Sequence, residues 1–98
     1  MRKDSQVTIN ELSEIAFCLE LTRSEKFFLI AYLLIYGFHE IKGFKVEIAA
    51  EMQIELDLAK VRMKQLKAKG IFEIKSHGPG GITIKANRGS WNRIKHRR

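Results

Sequence analysis

The sequence predicts an α+β fold, mainly helical, that ends in a two-stranded hairpin. Three observations predict it. Apolar residues recur at helical spacing from Thr8 to Lys69. After Gly70 the period becomes two: Phe72 and Ile74 alternate with Glu73 and Lys75, and Ile82 and Ile84 with Thr83 and Lys85. Between those runs lies Ser76-His77-Gly78-Pro79-Gly80-Gly81, a glycine-rich break of the kind that turns a hairpin. With 98 residues the chain is shorter than the ~150 residues of a typical domain, so a single core is expected. At 45% hydrophobic residues it has the material to build one.

Each element has a local reason. Thr8 and Glu11 stand three apart, the spacing of a capping box, and open a first helix over residues 8–20 with Ile9, Leu12, Ile15, Ala16 and Leu19. Cys18 lies near its apolar side and is expected as a small packing residue, not a reactive thiol. Thr22 and Glu25 repeat the box and open a second helix, Ser24–Tyr36, apolar on most faces and stopped by Gly37. A helix apolar nearly all round is central to a core or meets a second subunit. Residues 37–44 are expected as a loop with room for a short extended piece around Phe44. A third helix, Val46–Gln53, carries Ile48, Ala49 and Met52, and Ile54 ends the turn after it. A fourth spans Leu56–Lys69 and stops at Gly70, a residue suited to a left-handed C-terminal position. The hairpin follows. In this division residues 1–7 are a flexible arm, 8–87 the single domain and 88–98 a basic tail. The tail places Trp91 and Ile94 among cations, as a short amphipathic turn or a frayed end.

Charge is unevenly distributed. Residues 1–58 hold six Lys/Arg against ten Asp/Glu, net −4, and residues 59–98 hold twelve against one, net +11, giving the overall +7. Such a split points to a polyanion at one end of the domain. The first residues have no apolar run behind their basic flank, so a signal peptide is not expected. The most apolar stretch, Phe27–Phe38, falls short of the ~20 residues a membrane span needs. One cysteine excludes an internal disulfide framework, and Cys18 with His39, His77 and His96 gives no zinc spacing. No nucleophile–base set and no paired carboxylates stand out, so catalysis, cofactors, metals and small-molecule ligands are not expected. The expected setting is the cytoplasm, with the protein nucleoid-associated when bound to DNA.

A short helix with Ile48-Ala49-Ala50-Glu51-Met52, a turn at Gln53-Ile54, and a longer basic helix with Ala59, Met63 and Leu66 follow one another. Lys69-Gly70-Ile71-Phe72 then leads into the hairpin. This order resembles the winged helix-turn-helix family of DNA-binding domains over residues 22–86, with an extra helix at the N-terminal side and the hairpin as a two-stranded wing. The chain departs from the family twice: Gln53 stands at a turn position that often holds Gly, and Glu55 where a Ser or Thr cap often stands. Asp57 is expected to cap the helix in its place.

On a wheel of ~100° per residue, Ala59, Met63, Leu66 and Gly70 form a buried seam. Asp57, Val61, Lys64 and Ala68 fall opposite, with Lys60 and Lys67 on one flank and Gln65 on the other. Arg62 falls at the rim of the seam, its stem packed and its head toward a phosphate or carboxylate. Lys60, Lys64 and Lys67 thus make a basic stripe, and Val61 between them suits a thymine methyl in the major groove. Asp57 could accept from a cytosine amine, but capping is the stronger expectation. The candidate DNA-binding residues are therefore Asp57, Lys60, Val61, Lys64, Gln65 and Lys67 on the helix, Lys75, His77 and Lys85 on the hairpin, and Arg88 after it. The resemblance implies that the hairpin lies along or in the minor groove. The tail, Arg93 to Arg98, is expected to add phosphate contacts or to be a disordered end.

The function these readings imply is sequence-specific binding of double-stranded DNA by a small homodimer, as a transcriptional regulator or a plasmid or phage DNA-binding factor. The first two helices are the candidate dimer surfaces. The rival is a winged helix serving as a protein-interaction module in a larger assembly, against which the charge split argues. RNA or single-stranded DNA binding ranks third, because it calls for aromatics on a sheet surface. The hairpin offers only Phe72, expected to be buried.

Overall fold

The computed structural model describes the backbone of residues 6–95 and the side chains of residues 6–91. Within them the chain forms a small α+β domain of five helices and one three-stranded antiparallel sheet. The helices are α1 (Ile9–Ala16), α2 (Arg23–Tyr36), α3 (Lys45–Glu51), α4 (Leu56–Ala68) and α5 (Arg88–Lys95). The strands are β1 (Ile41–Phe44), β2 (Phe72–Ser76) and β3 (Gly81–Ala86), in the order β1-β3-β2.

Both expected capping boxes are formed. Thr8 Oγ1 accepts from the Glu11 N–H at 3.1 Å while the Thr8 N–H donates to the Glu11 carboxylate at 2.9 Å. Thr22 and Glu25 repeat this at 3.2 and 2.8 Å. The first helix is shorter than the expected 8–20. It ends at Ala16, and Ile9 and Leu19 of its proposed seam face solvent, leaving Ile15 and Cys18 to enter the core. The turn from Phe17 to Leu21 is what lets Cys18 and Leu21 both point inward. Gly37 ends α2 at φ 72° and donates its N–H to the Leu33 carbonyl. Gly70, at φ 83°, ends α4 as a left-handed residue.

Two expectations are revised. The short extended piece expected around Phe44 is a full strand over residues 41–44: β1 pairs along β3 from Ile41↔Ile84 to Phe44↔Gly81, so the hairpin has a third strand on its edge. The pattern Ile41, Lys42, Gly43, Phe44 has the period of two that the pairing uses. The domain also runs past residue 87. Arg88–Lys95 is a helix, and Trp91, 1% exposed, is among the largest buried side chains. The Trp91 backbone N–H donates to the Asn87 carbonyl, and the Asn87 backbone N–H donates to the Ile71 carbonyl, which ties the start of α5 to the residue before β2. The expected loose arm and tail also meet here. Arg88 pairs with Glu11 at 2.7 Å, donates to the Gln6 carbonyl and lies 4.3 Å over the Phe38 ring. Residues 1–5 and 96–98, and the side chains of 92–95, lie outside the described residues.

The core gathers Ile15, Phe28, Leu29, Tyr32 and Leu33 against Ile48, Ala59, Met63, Leu66, Phe72, Ile82, Ile84 and Trp91. Phe28 meets Phe72 edge to face, and Tyr32 tilts against it. No helix among the described residues is long and apolar enough to cross a membrane.

Candidate nucleic-acid interface

The two helices α3 and α4 are joined by Met52-Gln53-Ile54-Glu55, and the joint is tight. The Gln53 N–H bonds the Ala50 carbonyl and the Ile54 N–H the Ala49 carbonyl. Gln53 has φ 59°, and among the described residues it is the one non-glycine in the left-handed region. This is the position at which the sequence departs from glycine. The turn needs the left-handed conformation whichever residue occupies it, and a Cβ there crowds the following carbonyl.

The seam of α4 lies as expected. Ala59, Met63 and Leu66 are buried, while Lys60, Val61, Lys64, Gln65 and Lys67 are exposed. Val61 is 48% exposed. Arg62 sits half-buried at the rim, where its Nη1 donates to the Gln65 side chain at 3.1 Å. Gln65 is therefore oriented by a neighbour on its own helix. Asp57 is exposed in the first turn, and no side chain caps the Glu55 position. The expected capping by Asp57 is not made, and its charge acts only through the helix N-terminus.

On the hairpin, β2 and β3 pair from Phe72↔Ala86 to Ser76↔Ile82, and the His77 N–H closes the tip on the Gly81 carbonyl. Lys75 and Lys85 are exposed. Lys85 stands directly across from Glu73, whose carboxylate also accepts from the Asn87 amide. His77 Nε2 meets the Thr83 hydroxyl, which is otherwise buried. Arg88 is corrected: it is committed to Glu11, Gln6 and Phe38 inside the domain and lies off the candidate surface. Lys69 is likewise committed. Its ammonium lies 2.6 Å from the buried Glu25 carboxylate and 2.7 Å from the Glu20 carbonyl. Burial alone would raise the Glu25 pKa. The Lys69 ammonium and the Thr22 N–H outweigh it and hold the carboxyl below its ordinary value. Glu11 is held down the same way, against burial, by Arg88 and Thr8.

Register adds residues the sequence reading missed. Lys42, Thr83 and Lys75 form one row across the sheet, and Phe44, Gly81 and His77 the next. Phe44 is 51% exposed and lies over the hairpin tip, where a Cβ on Gly81 would stand 3.6 Å from its ring. The outer face of the sheet thus carries Lys42, Lys75 and an exposed aromatic. Their sequence signal is the alternation of residues 41–44, which by itself predicts only a short extended piece around Phe44.

The lysines of the candidate surface are not ion-paired, although Asp57 shares the outward face of α4 and Glu73 stands across from Lys85. Among the described residues Lys60, Lys64, Lys67, Lys75 and Lys85 make no ion pair, and the two ion pairs present hold Lys69 and Arg88. No group of three His, Cys, Asp or Glu among the described residues could hold a metal. The chain matches no protein-family model, no curated protein and no solved structure.

Proposed function

We propose that this chain is a winged-helix domain that binds double-stranded DNA, with α4 entering the major groove and the β2–β3 hairpin lying on the backbone or in the minor groove. The order α3, turn, α4, hairpin supports the reading, as does the left-handed turn at Gln53. The observation that carries it is the face of α4. Its buried seam fixes the helix against the core, so that Lys60, Lys64 and Lys67 stand outward as an unpaired stripe around Val61. A helix held this way, about 10–12 Å across, fits a major groove about 12 Å wide. Val61 offers methyls to a thymine, and the lysines reach guanine edges or phosphates. On this reading the hairpin cations Lys75 and Lys85 grip phosphates, which fixes register without reading sequence. The natural setting is a cytoplasmic regulator or a plasmid or phage DNA-binding factor.

The test is selection of bound sequences from a random duplex library, followed by titration of the selected site at several salt concentrations. Each neutralised phosphate contributes a slope of about −0.9 in log affinity against log salt. A slope of several units and an enriched motif support the reading. A flat salt response would overturn it.

A further inference from the structure

We propose that two copies of this chain associate through the outer face of α2, the two helices running antiparallel about a two-fold axis near Ile30 and Ala31. The inference goes beyond the DNA reading and does not depend on it. From Phe27 to Tyr36 helix α2 contains no charged residue. One side of it, Phe28, Leu29, Tyr32 and Leu33, is buried in the core. The other side is equally apolar and faces solvent: Phe27 is 79% exposed, Leu34 64% and Ile35 45%, with Ile30 and Ala31 half-buried between them. Arg23, Phe27, Ile30 and Leu34 are spaced i, i+4, i+7 and i+11, one stripe along the helix. Monomeric proteins rarely leave such a contiguous surface open.

The occupant is a second copy for three reasons. The first is shape. A groove of about 510 Å³, lined by Ala16, Arg23, Lys26, Phe27 and Ile30, runs beside the stripe. Antiparallel pairing centred on Ile30 and Ala31 brings the partner subunit's Leu34 beside Phe27 at that groove, and the two-fold repeats the contact on the other side. The second is charge. Arg23, on the stripe at the N-terminal end of α2, then meets the end of the partner's α2, where an exposed Glu40 follows the negative end of the helix. A self-complementary face needs opposite charge at its two ends: Arg23 stands at one, and the negative end of the helix, with the exposed Glu40 following it in the chain, at the other. The third is area. Phe17 and Leu19, 81% and 84% exposed, follow in the chain on Ala16, which lines that groove. With aromatics contributing about 150–250 Å² each when fully buried, Phe17 and Phe27 alone offer on the order of 300 Å². A standard interface takes about 800 Å² from each partner.

The experiment is sedimentation equilibrium of the full chain without nucleic acid. The wild type is expected to be a dimer at micromolar concentration. Phe27→Glu and Leu34→Glu, at exposed positions, are expected to be monomers with an unchanged circular dichroism spectrum. Arg23→Glu should weaken association about tenfold or more, and adding Glu40→Arg should restore it, because the swap rebuilds the pair across the two-fold. A monomeric wild type, a Leu34→Glu chain that still dimerises, or a charge swap weaker than Arg23→Glu alone would each overturn the proposal. Because no DNA is present, failure here leaves the DNA reading standing, and a flat salt response in duplex binding leaves this one standing.

Discussion

Ending the chain after Asn87, where the hairpin is complete and the sequence looks like basic tail, should unfold the domain. The loss centres on Trp91, which is 1% exposed. A buried indole removes about 150–250 Å² from water, worth about 4–6 kcal/mol at ~25 cal/mol per Å². Measured truncations of buried aromatics to alanine cost about 3–5 kcal/mol. Removing α5 also breaks the Arg88–Glu11 pair and the Arg88 stacking on Phe38. A domain of this size has about 5–15 kcal/mol of stability in total. Among the described residues the indole nitrogen of Trp91 has no hydrogen-bond partner. Trp91→Phe therefore loses volume and no polar contact, and should cost much less than Trp91→Ala. The assay is thermal unfolding followed by circular dichroism on the full chain, Trp91→Phe, Trp91→Ala and the chain ending at residue 87. At about 4–8 °C per kcal/mol for a domain of this length, Trp91→Ala should melt at least about 12 °C lower than the full chain. The truncated chain should show no cooperative transition. If it melts within a few degrees of the full chain, α5 is not part of the folding unit and the packing argument fails.

Other perturbations test other parts of the fold. Gln53→Gly should stabilise the protein by about 0.5–1 kcal/mol, the relief of a left-handed side chain less the added freedom of the unfolded glycine; a denaturant melt at unchanged slope checks it, and a destabilised Gln53→Gly would show that the turn is unstrained. Lys69→Met should cost about 1–3 kcal/mol at neutral pH, because it leaves the buried Glu25 carboxylate without its cation, while water at the exposed Lys69 side screens part of the loss. The Glu25 carboxyl is held below its ordinary value of 4.5, so the stability it contributes is fully present above that pH and is lost as pH falls through the folded value. Glu25→Gln should therefore be less stable than wild type at neutral pH, with the gap closing below pH 4.5. A gap that does not vary with pH would mean the pair contributes nothing through its charge. In duplex titrations, Lys64→Ala should relax preference at one or two base positions, at about 1–3 kcal/mol per lost contact, whereas Lys85→Ala should weaken selected and scrambled sites alike and lower the salt slope by about one. The reverse pattern would make the hairpin the reading element.

Much of this fold was legible because local chemistry and global packing agree. The two Thr-x-x-Glu boxes start helices where they stand in the sequence, and the seam of Ala59, Met63 and Leu66 fixes the phase of α4 to the residue. What escaped the sequence are features decided by partners distant along the chain. Residues 41–44 are too short to declare a strand by themselves; they become one because β3 offers an unpaired edge. Trp91 sits among cations in sequence, and only the packing of α5 on the core, through Asn87 and Ile71, shows that it is inside. Arg88 read as a free cation beside the hairpin, yet its partner Glu11 lies at the other end of the chain. The helical pattern of Ile9, Ala16 and Leu19 was real in spacing but describes an outward face, because α1 stops at Ala16.

The charge split acquires a different meaning once these partners are placed. Four acids of the first half hold contacts within the fold. Glu11 and Glu25 cap helices and hold Arg88 and Lys69, Glu47 accepts from the Phe44 N–H, and Glu51 accepts from the Tyr36 hydroxyl. Of those contacts only the two ion pairs neutralise charge, and among the described residues they occupy two cations of the second half, Lys69 and Arg88, both away from the outward face of α4. The lysines that remain, Lys60, Lys64 and Lys67 on one helix and Lys75 and Lys85 on the hairpin, repel one another at low ionic strength. Such repulsion weakens the folded state, and nothing in the architecture requires it: a Glu at position 64, between Lys60 and Lys67, would relieve it on the same helix face. A sequence that uses its acids as caps and leaves this one face unbalanced bears that cost in the free protein. Binding a phosphate backbone reverses it, releasing counterions from the nucleic acid as the lysines are neutralised.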